Sequence, residues 1–225
     1  MLKDVEAVIF DLDGTLVDSM WVWRDIDDKF LEKYQLTEPE GFHEGMEGKS
    51  YSETAQYFLD VFPTLTHTKE DLQKEWHEMA YERYASQIPL KTGALEFIKE
   101  LYESGIKLGI ATSNSRDLAE ICLAHHKIAS FFSSIWTACE AKAGKPDPAV
   151  YLRVSEELGV LPEKCLVFED VPMGILAGKN AGMKVCAVED SFSKSQEDAK
   201  RKLADYYIQD YFEIQKLENK NGEVK

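Results

Sequence analysis

The sequence predicts an α/β fold, a doubly wound parallel sheet carrying an inserted helical cap domain. Three observations lead there. Short apolar runs alternate with helical patterns from Pro89 onward, the pattern of a parallel sheet flanked by helices. One further apolar run, Val5 to Phe10, stands alone near the start. Between it and the rest lie about 70 residues with helical periodicity and no strand character.

Taken in order, Val5 to Phe10 reads as a buried parallel strand that ends abruptly in Asp11, Asp13 and Gly14. Val22, Ile26, Phe30 and Tyr34 then recur every four residues, as one helix face does. Thr54, Phe58, Val61 and Phe62 form a second face, preceded by Ser50 and Glu53 at capping-box spacing. Leu72, Trp76, Met79, Ala80 and Arg83 mark a third helix, with Thr68 as its N-cap. A helix from about Thr92 to Glu103 stops at Ser104-Gly105. Lys107 to Ala111 is a short strand, followed by a helix near Asp117 to His125 and a weaker strand, Ser134 to Ala138. Asp147-Pro148 opens a helix that ends at Gly159. Strands recur at Cys165 to Phe168 and Met183 to Val188, and the residues from about Glu218 read as a frayed polar end. The expected division is a core of residues 1–17 and 87–225 and a cap of residues 18–86. The linkers, Thr15 to Ser19 and Gln87 to Gly93, would together make a hinge.

Composition narrows the function classes. A hydrophobic content of 44% with 11% aromatics is that of an ordinary globular chain. No run approaches the length of a membrane span, and the first residues lack a signal-peptide pattern. Cys122, Cys139, Cys165 and Cys186 show no CxxC pairing and read as reduced residues of a cytoplasmic protein. Net charge is −15, and residues 18–86 hold 16 acidic against 7 basic residues. Solvated helix faces account for much of that excess. The balance nonetheless argues against nucleic acid as a partner and suits a small monophosphate. A monomer is expected.

The chemistry sits where strands end. Asp11 and Asp13 repel unless a cation or a shared proton intervenes. An EF-hand is excluded, because Leu16 and Val22 stand where its Gly and Glu belong. A solvated acidic turn is the bland reading of a lone DxDG, and the other strand ends decide against it. The second strand ends in Thr112-Ser113-Asn114, the third is followed by Gly144-Lys145-Pro146-Asp147-Pro148, and the fourth ends in Glu169-Asp170. Phosphoryl transfer needs a nucleophile, an acid/base, a hydroxyl and a cation for the phosphate oxygens, and carboxylates for Mg²⁺. All arrive at the edge of the sheet where open α/β folds bind ligands.

In this order the four motifs resemble those of the haloacid dehalogenase superfamily, over about Val5 to Val188. The resemblance implies a Rossmann-like core and a Mg²⁺-dependent phosphatase that forms an aspartyl-phosphate. It implies Asp11 as nucleophile and Asp13 as acid/base. Thr112 becomes the phosphate-binding hydroxyl, with Ser113 as the alternative and Asn114 beside them, and Lys145 the charge-balancing cation. It gives the metal to Asp11, the Asp13 carbonyl, Asp170 and Glu169. Asp13 sets the chain apart from haloacid dehalogenases and phosphonoacetaldehyde hydrolases, which lack that carboxylate, and from P-type ATPases, which have lysine there. The helical insertion resembles the subgroup that includes β-phosphoglucomutase. Members of that group usually carry a histidine where Trp23 stands here, which favours hydrolysis over phosphate return to a sugar. A non-catalytic regulatory protein is the third reading, weakened because Asp13 and Lys145 are both present.

In related caps the segment Gly45 to Ser50 sets specificity, which points to Glu47 and Lys49, with Lys49 as a substrate-binding residue. Trp21 and Trp23 read as packing between cap and core, and the histidines as surface residues without metal-ligand spacing. Gly174, Gly178 and Gly182 recur every four residues and read as close packing of a helix on the sheet. The expected substrate is a small phosphorylated sugar, polyol or nucleoside.

Overall fold

The computed structural model describes residues 1–214; the expectation about the chain from Glu218 lies outside them. Six strands form one parallel sheet in the order β3-β2-β1-β4-β5-β6. They are β1 Ala7–Phe10, β2 Lys107–Thr112, β3 Ser134–Thr137, β4 Cys165–Glu169, β5 Lys184–Val188 and β6 Tyr206–Ile208. Strand β1 lies in the middle, with Phe10 paired to Ile110 on one side and Phe168 on the other. All four motif-bearing strands are thus adjacent, and their carboxyl ends share one edge.

Alternation along β1 sends side chains to two faces. Val8 and Phe10 join Phe97, Leu118, Phe168 and Tyr211 on one side. Ala7 and Ile9 join Val154, Val167 and Ile175 on the other. Helices α4 (Ala94–Glu103) and α5 (Arg116–His125) supply the first face, and α7 (Ala149–Leu158) and α8 (Pro172–Asn180) the second. A short α6 (Ala138–Ala141) follows β3, and α9 (Glu197–Leu203) precedes β6. Among the described residues no helix is long and apolar enough to cross a membrane.

The cap consists of α1 (Met20–Lys33), α2 (Tyr51–Val61) and α3 (Lys69–Ser86). Both expected N-caps form capping boxes, Ser50 with Glu53 and Thr68 with Asp71. The three helices close around Phe30, Phe58 and Trp76, whose rings meet edge to face at 4.7 to 6.0 Å. On α3 the buried stripe is Leu72, Trp76, Ala80 and Tyr84. Arg83, expected on that face, instead pairs with Asp25.

Two linkers join cap to core side by side. Asp18 N–H donates to the Pro89 carbonyl at 3.0 Å and Lys91 N–H to that of Leu16 at 2.9 Å. The two linkers pair antiparallel through Val17 and Leu90 at the strand-end edge.

Three expectations change in detail. Helix α4 starts at Ala94 because Gly93, at φ +79°, ends the loop before it. Helix α7 starts at Ala149 with Pro148, not Asp147, at the N-cap position, although Asp147 accepts the Ala149 N–H at 2.9 Å. Of the three spaced glycines, Gly174 and Gly178 do permit close packing, against Glu169 and against Val185 and Val167. A Cβ on Gly182 would meet nothing within 4 Å; its φ of +79° serves the turn into β5 instead.

Candidate active site

Strand β1 delivers Asp11 at its end, where the Asp11 N–H still donates to the Phe168 carbonyl at 3.0 Å. The chain then turns through Gly14 at φ +80°, and a Cβ there would collide with the Asp170 carboxylate. Only glycine accepts both conditions, so Gly14 brings the DxD turn against the end of β4.

The Lys145 ammonium is the hub. It donates to Asp11 Oδ1 at 2.6 Å and also to Glu169 Oε1, and all three groups are buried. Glu169 is held by more than the lysine. Its Oε1 accepts the Tyr151 hydroxyl at 2.7 Å, and its Oε2 accepts the backbone N–H groups of Asp170 and Val171 at 2.9 and 3.4 Å. Burial disfavours the Lys145 ammonium, but attraction to Asp11 and Glu169 outweighs it and raises its pKa. Burial raises the Asp11 carboxyl to about 7, against the opposing pull of Lys145. Asp170 is pushed well above the carboxylate range by burial and by the charges of Glu169, Asp11 and Asp190.

Carboxylate oxygens of Asp11, Glu169 and Asp170 lie within 4.8 Å of one another. A buried, mutually repelling oxygen cluster of this kind fits a hard divalent cation such as Mg²⁺. Asp170 is fixed from behind by Thr15, whose hydroxyl donates to Oδ1 at 3.0 Å. The Ser193 hydroxyl donates to its carbonyl at 2.8 Å.

Asp13 faces a different neighbourhood. Its Oδ1 accepts the hydroxyls of Ser19, at 2.6 Å, and of Tyr84, while Oδ2 accepts the Asn114 amide at 2.9 Å. The donors come from the first linker, the last turn of α3 and the end of β2. Thr112 is buried, with Oγ1 accepting the Asn114 N–H at 3.0 Å, and Ser113 beside it is partly exposed.

All the expected residues border one cavity of about 460 Å³ between cap and core: Asp11, Asp13, Thr112, Ser113, Asn114, Lys145, Glu169, Asp170 and, from the cap, Lys49. Lys49 lies over the Tyr57 ring at 5.6 Å. Gly48 sits so close to the Lys145 carbonyl that no side chain would fit, which docks the Glu47-Gly48-Lys49 loop on the core.

Two cap residues differ from expectation. Trp23 lines the cavity and donates Nε1 to the Tyr84 hydroxyl at 2.8 Å. His43 lines it too, rather than facing solvent alone. Tyr84, Tyr151 and Asp27 were not singled out from the sequence. Helical spacing could have placed Tyr84 on the buried face of α3 with Ala80, but nothing local marks a hydroxyl whose partner is 71 residues away.

Residues 8–188 match the family described as haloacid dehalogenase-like hydrolase. The phosphorylated carbohydrates phosphatase of Thermotoga maritima is 31% identical over 180 residues, covering 80% of this chain and 83% of that protein. Hexitol phosphatase A of Escherichia coli K12 is 32% identical over 185 residues, covering 81% and 82%. Beta-phosphoglucomutase from Clostridium difficile superposes with a TM-score of 0.78 at 24% identity, over 96% of this chain and 98% of that one. At that identity the likeness shows the fold, with its cap. The family match spans most of the chain and the sequence relatives cover four-fifths of it; on both grounds the chain belongs to the haloacid dehalogenase-like hydrolases.

Proposed function

We propose that this protein is a Mg²⁺-dependent phosphatase that hydrolyses a small organic phosphate monoester through an aspartyl-phosphate on Asp11. The observation that carries the reading is the contrast between two neighbouring carboxylates. Asp11 is paired with Lys145 in the buried acidic cluster, and Asp13 is held by three hydroxyl and amide donors outside it. Unlike environments are how two carboxyl groups come to do different work.

Asp11 attacks phosphorus and forms the Asp11–phosphoryl bond as the bond to the leaving oxygen breaks. Asp13 delivers its proton to that oxygen. Asp13 then takes a proton from water, whose oxygen attacks the phosphoryl group and frees Asp11. Thr112, with Ser113 and Asn114 beside it, holds the phosphate oxygens, and Lys145 balances their charge. Asp11, Asp170, Glu169 and the Asp13 carbonyl would hold Mg²⁺, which supplies neutralising charge to the phosphoryl oxygens. Glu169 and Tyr151 keep Lys145 aimed at Asp11.

The relatives named as phosphatases of phosphorylated carbohydrates and hexitols support a sugar or polyol phosphate as substrate. The four cysteines, all free, suit a cytoplasmic enzyme. Product analysis tests the reading. The protein is given Mg²⁺ and β-glucose 1-phosphate with a trace of glucose 1,6-bisphosphate, and then a panel of sugar, polyol and nucleoside monophosphates. Inorganic phosphate, absent with Asp11→Asn, is the expected product. Glucose 6-phosphate without free phosphate would mean a mutase, and no product from any substrate would refute both.

A further inference from the structure

We propose that Asp27 is a specificity-determining residue that receives a hydroxyl of the leaving group at the cap end of the cavity. The inference rests on the phosphatase reading and deepens it.

Helix α1 begins at the chemistry, since Ser19 just before it donates to Asp13. Met20, Trp23 and Asp27 follow at helical spacing and all line the cavity. From Ser19 to Asp27 the helix rises about 12 Å. A leaving group must therefore be several atoms long to reach from the phosphate to Asp27.

The Asp27 carboxylate has no hydrogen-bond donor among the described residues. Its nearest cation-forming neighbour is His43, with Nδ1 at 3.6 Å from Oδ2, beyond hydrogen-bonding range. Arg24, one turn earlier, is taken up by Asp28 and Glu38 at 3.3 Å each and by His43. The Asp27 side chain is 15% exposed, and it borders the cavity. A largely buried acceptor that borders the cavity is thus left with no protein donor, and a ligand hydroxyl would supply one. Burial, only partly offset by Arg24, raises its carboxyl to about 7, as expected for a group missing its partner.

Asp27 accepts only where a donor meets it, and a hydroxyl is such a donor; an aryl or alkyl leaving group is not. Trp23 and Tyr51, edge to face at 6.0 Å, supply apolar wall for the carbon skeleton.

The test compares kcat/KM for hexose, hexitol and pentose monophosphates with that for p-nitrophenyl phosphate, which is of similar length but offers no hydroxyl. It uses the intact protein with Mg²⁺, as wild type, Asp27→Asn and Asp27→Ala. The wild type should prefer a hydroxylated substrate. In Asp27→Ala the ratio of its kcat/KM to that of p-nitrophenyl phosphate should fall about 10- to 100-fold, chiefly through KM, as loss of a hydrogen bond to a charged group does, and in Asp27→Asn, whose amide oxygen still accepts, it should fall less. A fall of less than tenfold in Asp27→Ala, or a wild type that prefers p-nitrophenyl phosphate, overturns the proposal. Release of phosphate from no substrate at all would instead refute the phosphatase reading. Turnover of p-nitrophenyl phosphate by the variants reports that they fold.

Discussion

The Tyr84 hydroxyl, in the last turn of α3, donates a hydrogen bond to Oδ1 of Asp13. A cap side chain thereby holds the second carboxylate of the core motif, at the place where the paired linkers meet. Trp23 extends the contact, since its indole N–H needs the Tyr84 oxygen as acceptor. Tyr84→Phe therefore removes one donor from Asp13 and strands one partly buried donor on Trp23. Denaturant unfolding should show a loss of about 1–3 kcal/mol. No measurable loss would mean that the hydroxyl is not held as described.

Gly174 sets a second test. A Cβ there would run into the Glu169 carboxylate, which anchors Lys145 and Tyr151. The helix cannot back away without leaving β4 and β5, on which Gly178 packs one turn later. Gly174→Ala is expected to lower stability by about 1–3 kcal/mol, the usual effect of overpacking a core, and to reduce phosphate release at saturating substrate. A variant with wild-type Tm and turnover would contradict this packing.

The pH dependence of stability isolates Asp27. Its carboxyl moves from an ordinary 3.8 to about 7 in the fold, so the folded protein holds that proton more tightly than the unfolded chain. The resulting stability is fully present below about pH 4 and is lost as pH rises through 7. Asn cannot ionise, so above pH 7 Asp27→Asn should be the more stable protein by a few kcal/mol. The gap between the two should narrow toward pH 4. Parallel stability curves for wild type and variant across that range would show that Asp27 is not buried as described.

The acidic cluster predicts a metal response that needs no substrate. Asp170, pressed by burial and by the charges of Glu169 and Asp11, gains most from a cation. Millimolar Mg²⁺ should raise Tm by about 2–4 °C, as a ligand that binds only the fold does. Asp170→Asn should lose most of that shift, and a chelator should stop phosphate release. A Tm indifferent to Mg²⁺ would remove the metal from the account.

Much of this was readable in the sequence because the chemistry sits where apolar runs stop. Asp11 follows β1, Thr112 and Glu169 close β2 and β4, Lys145 lies in the loop after α6, and parallel order brings the strand ends together. The cap was readable as helices, since Ser50 with Glu53 announces a capping box and Thr68 an N-cap. Strand β6 was not. Its three residues pair on one side only, with β5, too short a run to show alternation. The roles of Trp23, Asp27 and His43 were hidden for another reason. Spacing tells which residues share a helix face, but not whether that face meets a core or a cavity. Tyr84 and Tyr151 were missed because an aromatic on a buried face reads as packing, while each also places a hydroxyl on a distant carboxylate.

The central claim is that Asp11 carries the phosphoryl group. Asp13→Asn slows release of that group, so the intermediate should accumulate in the variant. The variant would be mixed with Mg²⁺ and p-nitrophenyl phosphate, quenched in acid within the first turnover, and its peptides weighed. The account predicts one added phosphoryl group on the peptide containing Asp11, removed by hydroxylamine. A phosphoryl group on any other residue, or none while p-nitrophenol is released in a full burst, would contradict it.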